Sequence, residues 1–279
     1  MNRVAPFALV AAGRIRDSFL TRVPRLAERL GPVRSSSFRL ASRISNFLGA
    51  GYSVESLEAF ERSRVILIAM PKPWLPVVVE QLAGTGFDWK SKSVLLCDSE
   101  LDSSVLHALA RLGASTGSIV AVPGPEAVYL VEGERRALRE ARTLVGDGTR
   151  VIPMARGQRA LFEAGLSFAT SLALPLLAAS AESLRGCGVS QNDAQFLVER
   201  LFQRTLRGYL KGGRKAWEGP LSVQDCDRVA RQVEALARVS PVLASYFFEN
   251  AVLVSRVFKQ DSAWLDPLAP AVYKEASSQ

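Results

Sequence analysis

The chain has 279 residues, of which 48% are hydrophobic and 22% charged, a composition typical of a folded protein with one large or two ordinary domains. It carries a net charge of +8, a single histidine, His107, and three cysteines, Cys97, Cys187 and Cys226, without C-x-x-C spacing. These counts argue against a disordered chain, a disulfide framework, a Cys/His metal site and most Ser-His-Asp schemes. We therefore expect no metal and a reducing, cytoplasmic location.

The N-terminal part of the chain is the basic part, because residues 1–50 carry nine arginines and only two acidic residues. Such a segment predicts an anionic partner: a nucleotide phosphate, a nucleic acid or a membrane surface. The apolar run Val4–Ala12, after Arg3, resembles a short signal peptide, and the Arg-rich, acid-poor start of the chain also resembles a transit peptide. Arg14 and Arg16 follow the apolar run at once, which favours a buried strand.

Continuous apolar runs alternate with helical spacing up to Pro153, a pattern that predicts a parallel sheet built from βαβ units. In the helix predicted over Arg14–Leu30, Pro24 should introduce a kink or a break. The predicted strands are Phe7–Ala12, Pro32–Ser36, Val65–Met70, Ser93–Cys97, Ser115–Val122, Ala127–Val131 and Thr149–Ile152. The predicted helices are Arg14–Leu30, Phe38–Leu48, Trp74–Leu82, Asp102–Leu112 and Glu134–Val145.

Beyond Pro153 only helical spacing remains, which predicts an all-helical second domain. We expect an α/β sheet domain over residues 1–153 and a helical domain over 154–279. The stretch Ala164–Ala181 is largely apolar but contains serines, a threonine and a proline, so a buried core helix fits it better than a membrane span. The helices predicted here are Arg156–Arg185, Gln191–Lys211, Ser222–Val239 and Pro241–Lys259.

The turn after the first predicted strand holds a partial match to the G-x-G-x-x-G fingerprint of dinucleotide-binding proteins. The matching stretch is Ala11-Ala12-Gly13-Arg14-Ile15-Arg16, in which only the middle glycine, Gly13, remains. A glycine there lets a pyrophosphate approach the backbone closely. An ordinary strand-to-helix loop explains the same glycine equally well.

The second predicted strand ends in Ser and Arg where NAD-binding proteins place an acidic residue. Arg34, Ser35, Ser36 and Arg39 are the residues at this place, with Arg43 beyond them. Hydroxyl and guanidinium groups suit a 2′-phosphate, so a bound dinucleotide would be NADP rather than NAD. The alternative is a solvated helix start at which Ser36 or Ser37 is only a cap.

Two further strand ends supply candidate site residues. Ala69, Met70 and Pro71 follow one strand, and small residues there would let a nicotinamide ring approach. Asp98 and Ser99 follow the next strand and are candidate catalytic residues, although either could simply cap the next helix.

Six short motifs keep a recognisable order along the chain, and together they resemble a known family. That family comprises bacterial Rossmann-like proteins with a helical C-terminal domain of unknown function, distant relatives of pyrroline-5-carboxylate reductase and F420-dependent NADP oxidoreductases. The resemblance implies an NADP-type binding domain, a helical domain that helps to form the active-site cleft, and a homodimer built on those helices. The motifs are Gly13-Arg14-Ile15, Ser35-Ser36, Ala69-Met70-Pro71, Gly113–Ser118, Tyr129–Gly133 and Gly219-Pro220.

The sequence departs from this family at positions where relatives carry polar active-site residues. Val120, Glu163 and Cys97 stand near the places of three histidines, and Thr170 or Ser171 stands near that of an asparagine. Glu163 is a candidate general acid if buried, or else a solvent-facing helix residue.

Three hypotheses follow. The first is an NADP-dependent oxidoreductase of unassigned substrate, and the second is a catalytically degenerate homologue that acts as a dimeric binding or scaffold protein. The third is an anion-binding module using the basic segment. We expect no membrane partner, and nucleic acid is disfavoured because the aromatic run Tyr246–Phe248 lacks interleaved basic residues.

Overall fold

The computed structural model describes residues 6–13, 15, 18–97 and 100–269. The chain divides into two compact units, Met1–Gly165 and Leu166–Gln279. The predicted division at residues 153 and 154 stays a prediction. The sheet nevertheless ends there, since its last strand stops at Pro153.

The first unit is built on an eight-stranded sheet in the order β3-β2-β1-β4-β5-β6-β7-β8. All neighbouring strands are parallel except β6 and β7, which are antiparallel. The predicted α/β fold with a Rossmann-like sheet and a helical C-terminal region is confirmed. The strands are β1 (Phe7–Ala11), β2 (Leu30–Arg34), β3 (Tyr52–Ser53), β4 (Val65–Ala69), β5 (Ser93–Cys97), β6 (Ser115–Ala121), β7 (Val128–Gly133) and β8 (Arg150–Pro153).

The central strands β1, β4 and β5 are buried along their whole length, as their continuous apolar sequences require. Alternate residues point into two separate cores, so that Phe7 and Leu9 pack on one face of the sheet while Ala8 and Val10 pack on the other. This burial on both faces fixes the register, because a shift by one residue would exchange the two faces.

The α-helices of the first unit occur after the strands where the sequence predicts them, although some differ in length from the prediction. Ser37 caps α1 by accepting the N–H of Leu40, and Gly49 ends that helix in the left-handed region at φ +59°. The predicted helix over 102–112 is a 3-10 turn, Ser103–Leu106, followed by one short α-helix. The helices are α1 (Phe38–Leu48), α2 (Leu75–Ala83), α3 (His107–Arg111) and α4 (Arg135–Val145), and α5 (Arg159–Ala169) contains the division between the two units.

The helix predicted over Arg14–Leu30 is wrong for the residues described there. Two 3-10 turns, Phe19–Arg22 and Leu26–Glu28, occupy this stretch, and Leu30 already belongs to β2. Pro24 cannot donate a helical hydrogen bond, and Arg25 adopts a left-handed conformation at φ 55°, which ends any helix before it. The apolar positions at helical spacing are buried nonetheless: Ile15, Phe19, Val23, Leu26 and Leu30.

A buried lysine joins the start of β5 to the segment before β4. Lys92 is only 3% exposed, and its ammonium group donates to the backbone carbonyls of Phe60, Glu61 and Ser63 at 3.4, 2.6 and 2.9 Å. The Phe87 ring lies 4.9 Å away. Desolvation lowers the pKa of Lys92, although the nearby carboxylates of Glu61 and Asp88 act in the opposite direction.

The last strand leaves the sheet at the edge where β1 to β6 begin. This follows because β7 runs against β6, whereas β8 runs with β7. Beyond β8, Arg156 donates from Nη2 to the backbone and side-chain oxygens of Thr116, at 3.2 and 3.1 Å.

The second unit is helical, as predicted, and contains α6 (Ala173–Gly186), α7 (Gln191–Gly212), α8 (Cys226–Val239) and α9 (Pro241–Val257). Its core is small and lies between α8, α9 and a terminal 3-10 segment, Ala263–Leu268. Phe248 and Leu265 are its largest buried side chains. α6 and α7 contribute little to this core, and of the two only α7 has a buried residue, Ala194.

The prediction that Ala164–Ala181 is a buried core helix is wrong. The stretch forms the end of α5 and the start of α6, and neither helix has a buried residue. Among the described residues, Arg159–Gly186 is the one helical stretch long and apolar enough to cross a membrane by length and composition. That test is weak evidence because core helices of other proteins also pass it.

Candidate functional site

The ends of β1 and β4 meet at the point where the order of the sheet reverses. Ala11 is paired with Ala69, and the N–H of Ala12 donates to the Ala69 carbonyl at 3.0 Å. Within the sheet, β2 lies next to β1 on one side and β4 lies next to β1 on the other. Open α/β sheets bind their ligands outside the carboxyl ends of the strands at such a switch point.

Gly13 lies directly above this pair of strand ends. Its φ of +83° is a conformation that L-residues rarely adopt, and a Cβ placed on it would lie 3.2 Å from Cγ of Pro71. The two loops are therefore in close contact, as the sequence-based site requires. Ile15 is buried and donates its N–H to the Gly13 carbonyl, whereas the predicted site residue Arg14 lies outside the described residues.

Ser35 lies at the tip of β2, where the sequence predicts a cofactor contact. Its side chain is buried, and its hydroxyl donates to the Ala11 carbonyl at 2.6 Å. The hydroxyl proton is thus used within the protein. Ser35 holds the ends of β1 and β2 together, and only its oxygen lone pairs remain for a ligand.

The Arg34 guanidinium is held from two sides. Nε donates to the Glu55 carbonyl and Nη1 donates to the side-chain oxygen of Gln81 on α2, both at 3.2 Å. A guanidinium has five N–H donors, so these two bonds fix its orientation and leave other donors for a ligand. Ordered donors of this kind suit recognition of a phosphate.

The start of α1 presents further polar groups next to Arg34. Ser36 and Arg39 are exposed, and Ser37, rather than Ser36, caps the helix. The N-terminal end of α1 also carries the partial positive charge of the helix dipole. None of Arg34, Ser35, Ser36 and Arg39 is acidic, and the acidic neighbour Glu55 meets Arg34 through its backbone carbonyl.

The structure describes only some of the candidate catalytic residues. Asp98 and Ser99 lie outside the described residues. Cys97 before them is buried, as is Ala69 at the end of β4, whereas Met70 is partly and Pro71 more fully accessible. Glu163 accepts a hydrogen bond from Nε of Arg159 at 2.8 Å, one helical turn away. The Glu163 carboxylate therefore has a partner on its own helix, and its role as a general acid stays a prediction.

The sequence analysis missed a buried carboxylate beside the candidate catalytic loop. Glu132 on β7 is 0% exposed and accepts the N–H and the hydroxyl of Ser103 at 2.6 and 2.9 Å. Nε of Arg156 lies 4.0 Å from the same carboxylate. The signal was present in the sequence, because Glu132 is the one charged residue in the strand VYLVEG. Glu132 fixes the C-terminal end of the loop that follows β5.

No cluster of three or more potential metal ligands occurs among the residues that the structure describes. In that same part of the chain, the polar side chains at and after the tip of β2 are the hydroxyls of Ser35 and Ser36 and the guanidinium groups of Arg34 and Arg39. Donors of this kind suit a phosphorylated ligand.

Residues 127–250 match a family model described as a domain of unknown function, DUF2520. The match spans β7, α4, β8 and most of the helical region. It confirms the resemblance to Rossmann-like proteins with a helical C-terminal domain of unknown function. No protein of curated function matches the sequence.

Solved structures with the same fold cover nearly the whole chain. A putative NADP oxidoreductase, BF3122 from Bacteroides fragilis, is 14% identical with a TM-score of 0.68, covering 91% of this chain and 96% of that one. An imine reductase from Myxococcus stipitatus, in complex with NAD+, is 14% identical with a TM-score of 0.64, covering 95% and 99%. A pyrroline-5-carboxylate reductase from Coxiella burnetii is 12% identical with a TM-score of 0.53, covering 93% and 100%. At these identities the likeness shows a shared fold.

Proposed function

We propose that the protein is an NADP(H)-dependent oxidoreductase of small molecules. The observation that carries this proposal is the tip of β2 beside the switch point, where Arg34 ends the strand and Ser36 and Arg39 follow it with no acidic residue among them, and the Arg34 guanidinium is held by Gln81. The similar structures include a putative NADP oxidoreductase and two reductases, which supports a nicotinamide cofactor in general.

The arrangement also predicts how the binding energy is distributed along the cofactor. In most dinucleotide-binding proteins the helix after β1 directs its N-terminal amides at the pyrophosphate. Here the described residues after Gly13 form 3-10 turns. A larger share of the affinity for NADPH should therefore come from the 2′-phosphate.

The test is a calorimetric titration with NADPH, NADH, 2′,5′-ADP and 5′-ADP. We expect binding of the two ligands that carry a 2′-phosphate and much weaker binding of the other two. Arg39→Gln should weaken NADPH binding about tenfold, because it removes one charge-assisted contact. Arg43→Gln, one turn further along the same exposed face of α1, is the matched control and should have little effect. Equal affinity for NADPH and NADH would contradict the proposed site.

The second candidate is a catalytically degenerate homologue that binds a nucleotide or a protein partner. It is favoured by the 3-10 turns after Gly13 and by the ion pair that occupies Glu163. A panel of ketones, aldehydes and cyclic imines distinguishes the two candidates. Consumption of NADPH with any of them would remove this alternative, whereas absence of NADPH binding at millimolar concentration would support it.

We also propose that the protein forms a homodimer through its helical region. Phe202, Leu206 and Tyr209 lie at i, i+4 and i+7 on α7, and they are 44%, 49% and 58% exposed. Further exposed apolar residues on α5 and α6 include Phe168 and Leu174. Apolar surfaces of this kind mark contacts between proteins.

Light scattering coupled to size-exclusion chromatography tests the dimer. Leu206→Glu should convert it to a monomer, because it places a charge in the proposed contact, whereas Gln203→Glu on the same helix should not. A monomeric wild type would refute this part of the proposal.

A cytoplasmic location is proposed as well, in keeping with three cysteines that are all free thiols.

A further inference from the structure

A groove of about 700 Å³ lies between α2 and the segment that leads into α3. Its walls are apolar: Leu75 and Val79 come from α2, and Leu101, Val105 and Ala108 come from the other side. Leu75 and Val79 are also buried core residues, so the floor of the groove belongs to the rigid core beneath the sheet. This volume lies within the range of small-molecule sites, about 300–1,000 Å³.

Three ionisable side chains border these apolar walls. Lys72 stands in the 3-10 turn before α2, His107 is the first residue of α3, and Glu80 lies about two turns along α2 from Lys72. All three are exposed, and no hydrogen bond or ion pair joins their side chains to another described residue. An apolar groove with a few free polar groups at its rim is a typical binding site.

The groove is separate from the proposed cofactor site. Gln81 faces β2, since its side chain accepts the hydrogen bond of Arg34. Val79, Glu80 and Ala83 of the same helix line the groove on the side of α3. None of the residues that line the groove is among those proposed to bind NADPH, although Lys72 directly follows Pro71.

We propose that this groove binds a small amphipathic carboxylate, with an alkyl or aryl body against the apolar walls and its carboxylate beside Lys72. Charge complementarity is the reason. Lys72 and His107 can both donate a hydrogen bond to a carboxylate, whereas Glu80 is the one rim side chain that favours an amine, and a neutral apolar molecule would gain nothing from the rim. Glu80 repels an anion from its own end of α2, so the carboxylate lies at the Lys72 end.

The first test is calorimetric binding of a series of straight-chain carboxylates, from hexanoate to dodecanoate, to the intact protein. Each added methylene should tighten binding about fourfold while the chain still enters the groove, and the affinity should then level off. Decylamine and decanol should bind more weakly than decanoate. An affinity that keeps rising with chain length and never levels off would overturn the proposal. Decylamine binding as tightly as decanoate would do the same.

The second test uses variants. Lys72→Gln should weaken decanoate binding about threefold to fivefold, as expected for loss of an exposed ion pair, and Lys215→Gln in the second unit is the control. Ala108→Phe narrows the groove and should move the plateau to a shorter chain while NADPH binding stays unchanged. If carboxylates fail to bind and Ala108→Phe changes the oligomeric mass instead, the groove is a contact between copies of the chain and the proposal is wrong.

Discussion

The hydroxyl of Ser35 donates to the backbone carbonyl of Ala11 at 2.6 Å and so joins the tips of two neighbouring parallel strands. The bond lies directly beside the switch point at which a dinucleotide is proposed to bind. Ser35 therefore shapes the site by holding the ends of β1 and β2 together.

Ser35→Ala should lower the free energy of unfolding by about 1–2 kcal/mol, because it leaves a buried carbonyl without its side-chain donor. The exposed neighbour Ser36 offers a matched control, and Ser36→Ala should change stability by less than about 0.5 kcal/mol. Urea denaturation of both variants measures the difference. Equal effects at the two positions would show that the bond contributes nothing to stability.

Gly133→Ala should be among the most destabilising glycine substitutions in the chain. Its Cβ would lie 2.4 Å from both Cα of Gly117 and the carbonyl oxygen of Thr116, and φ at Gly133 is +131°. The antiparallel pair β6–β7 would have to separate, at a cost of about 3 kcal/mol or more.

Gly124→Ala separates backbone strain from steric overlap, since Gly124 has a φ of +153° and nothing within 4 Å of its Cβ position. Thermal unfolding of the two variants should therefore differ clearly. Similar losses at both positions would mean that backbone conformation, rather than the close approach of the strands, limits residue 133.

Glu132→Gln should destabilise the first unit by about 1–2 kcal/mol. An amide has one acceptor oxygen where the carboxylate uses two, so the Ser103 hydroxyl would have to turn and accept from the amide NH2, and Arg156 would lose its charge partner. Ser103→Ala removes only one of the two bonds and should cost about 1 kcal/mol. A double-mutant cycle measures the coupling between the two residues, and strict additivity would contradict the direct contact.

Lys92 predicts a pH dependence of stability. Since burial lowers its pKa in the folded state, the unfolded chain binds more protons at any pH between that lowered value and the ordinary lysine pKa of about 10.4. Stability should therefore rise with pH across this window, relative to a variant without the amine.

The measurement is the difference in unfolding free energy between wild type and Lys92→Met as a function of pH. Lys92→Met should be less stable throughout, because three carbonyls lose their donor, and the gap should widen as pH rises. A gap that narrows with rising pH would mean that the carbonyls and the neighbouring carboxylates outweigh desolvation.

Elements governed by local chemistry were predicted from the sequence with their correct bounds. The helix Phe38–Leu48 has a serine cap before it and a glycine after it, and the strand Ser93–Cys97 is a short, continuous apolar run. In both cases the signals lie within the element or next to it.

The segment after β1 shows where this reasoning fails. The helical spacing of Ile15, Phe19 and Val23 correctly predicted which residues are buried, yet the chain there forms 3-10 turns. Apolar spacing reports which side chains face the core, and a 3-10 turn satisfies nearly the same spacing as an α-helix. The two-residue strand β3 was missed because an edge strand that short carries no pattern.

The candidate site was predicted as a set of positions but not as a set of interactions. Ala11, Gly13, Ser35, Ala69 and Pro71 do meet at one edge of the sheet. The partners that decide their roles are distant in sequence, as with the bond from Arg34 to Gln81, and sequence spacing cannot reveal such pairs.

The burial of Lys92 also makes it a chemical reporter. An amine-reactive reagent will acylate exposed lysines such as Lys72 and Lys90 in the native protein, whereas the Lys92 amine is accessible only after the backbone around Phe60–Ser63 has moved away from β5. Mass spectrometry can follow each site separately. The labelling rate at this one position therefore measures how often the start of β5 opens, without an engineered probe.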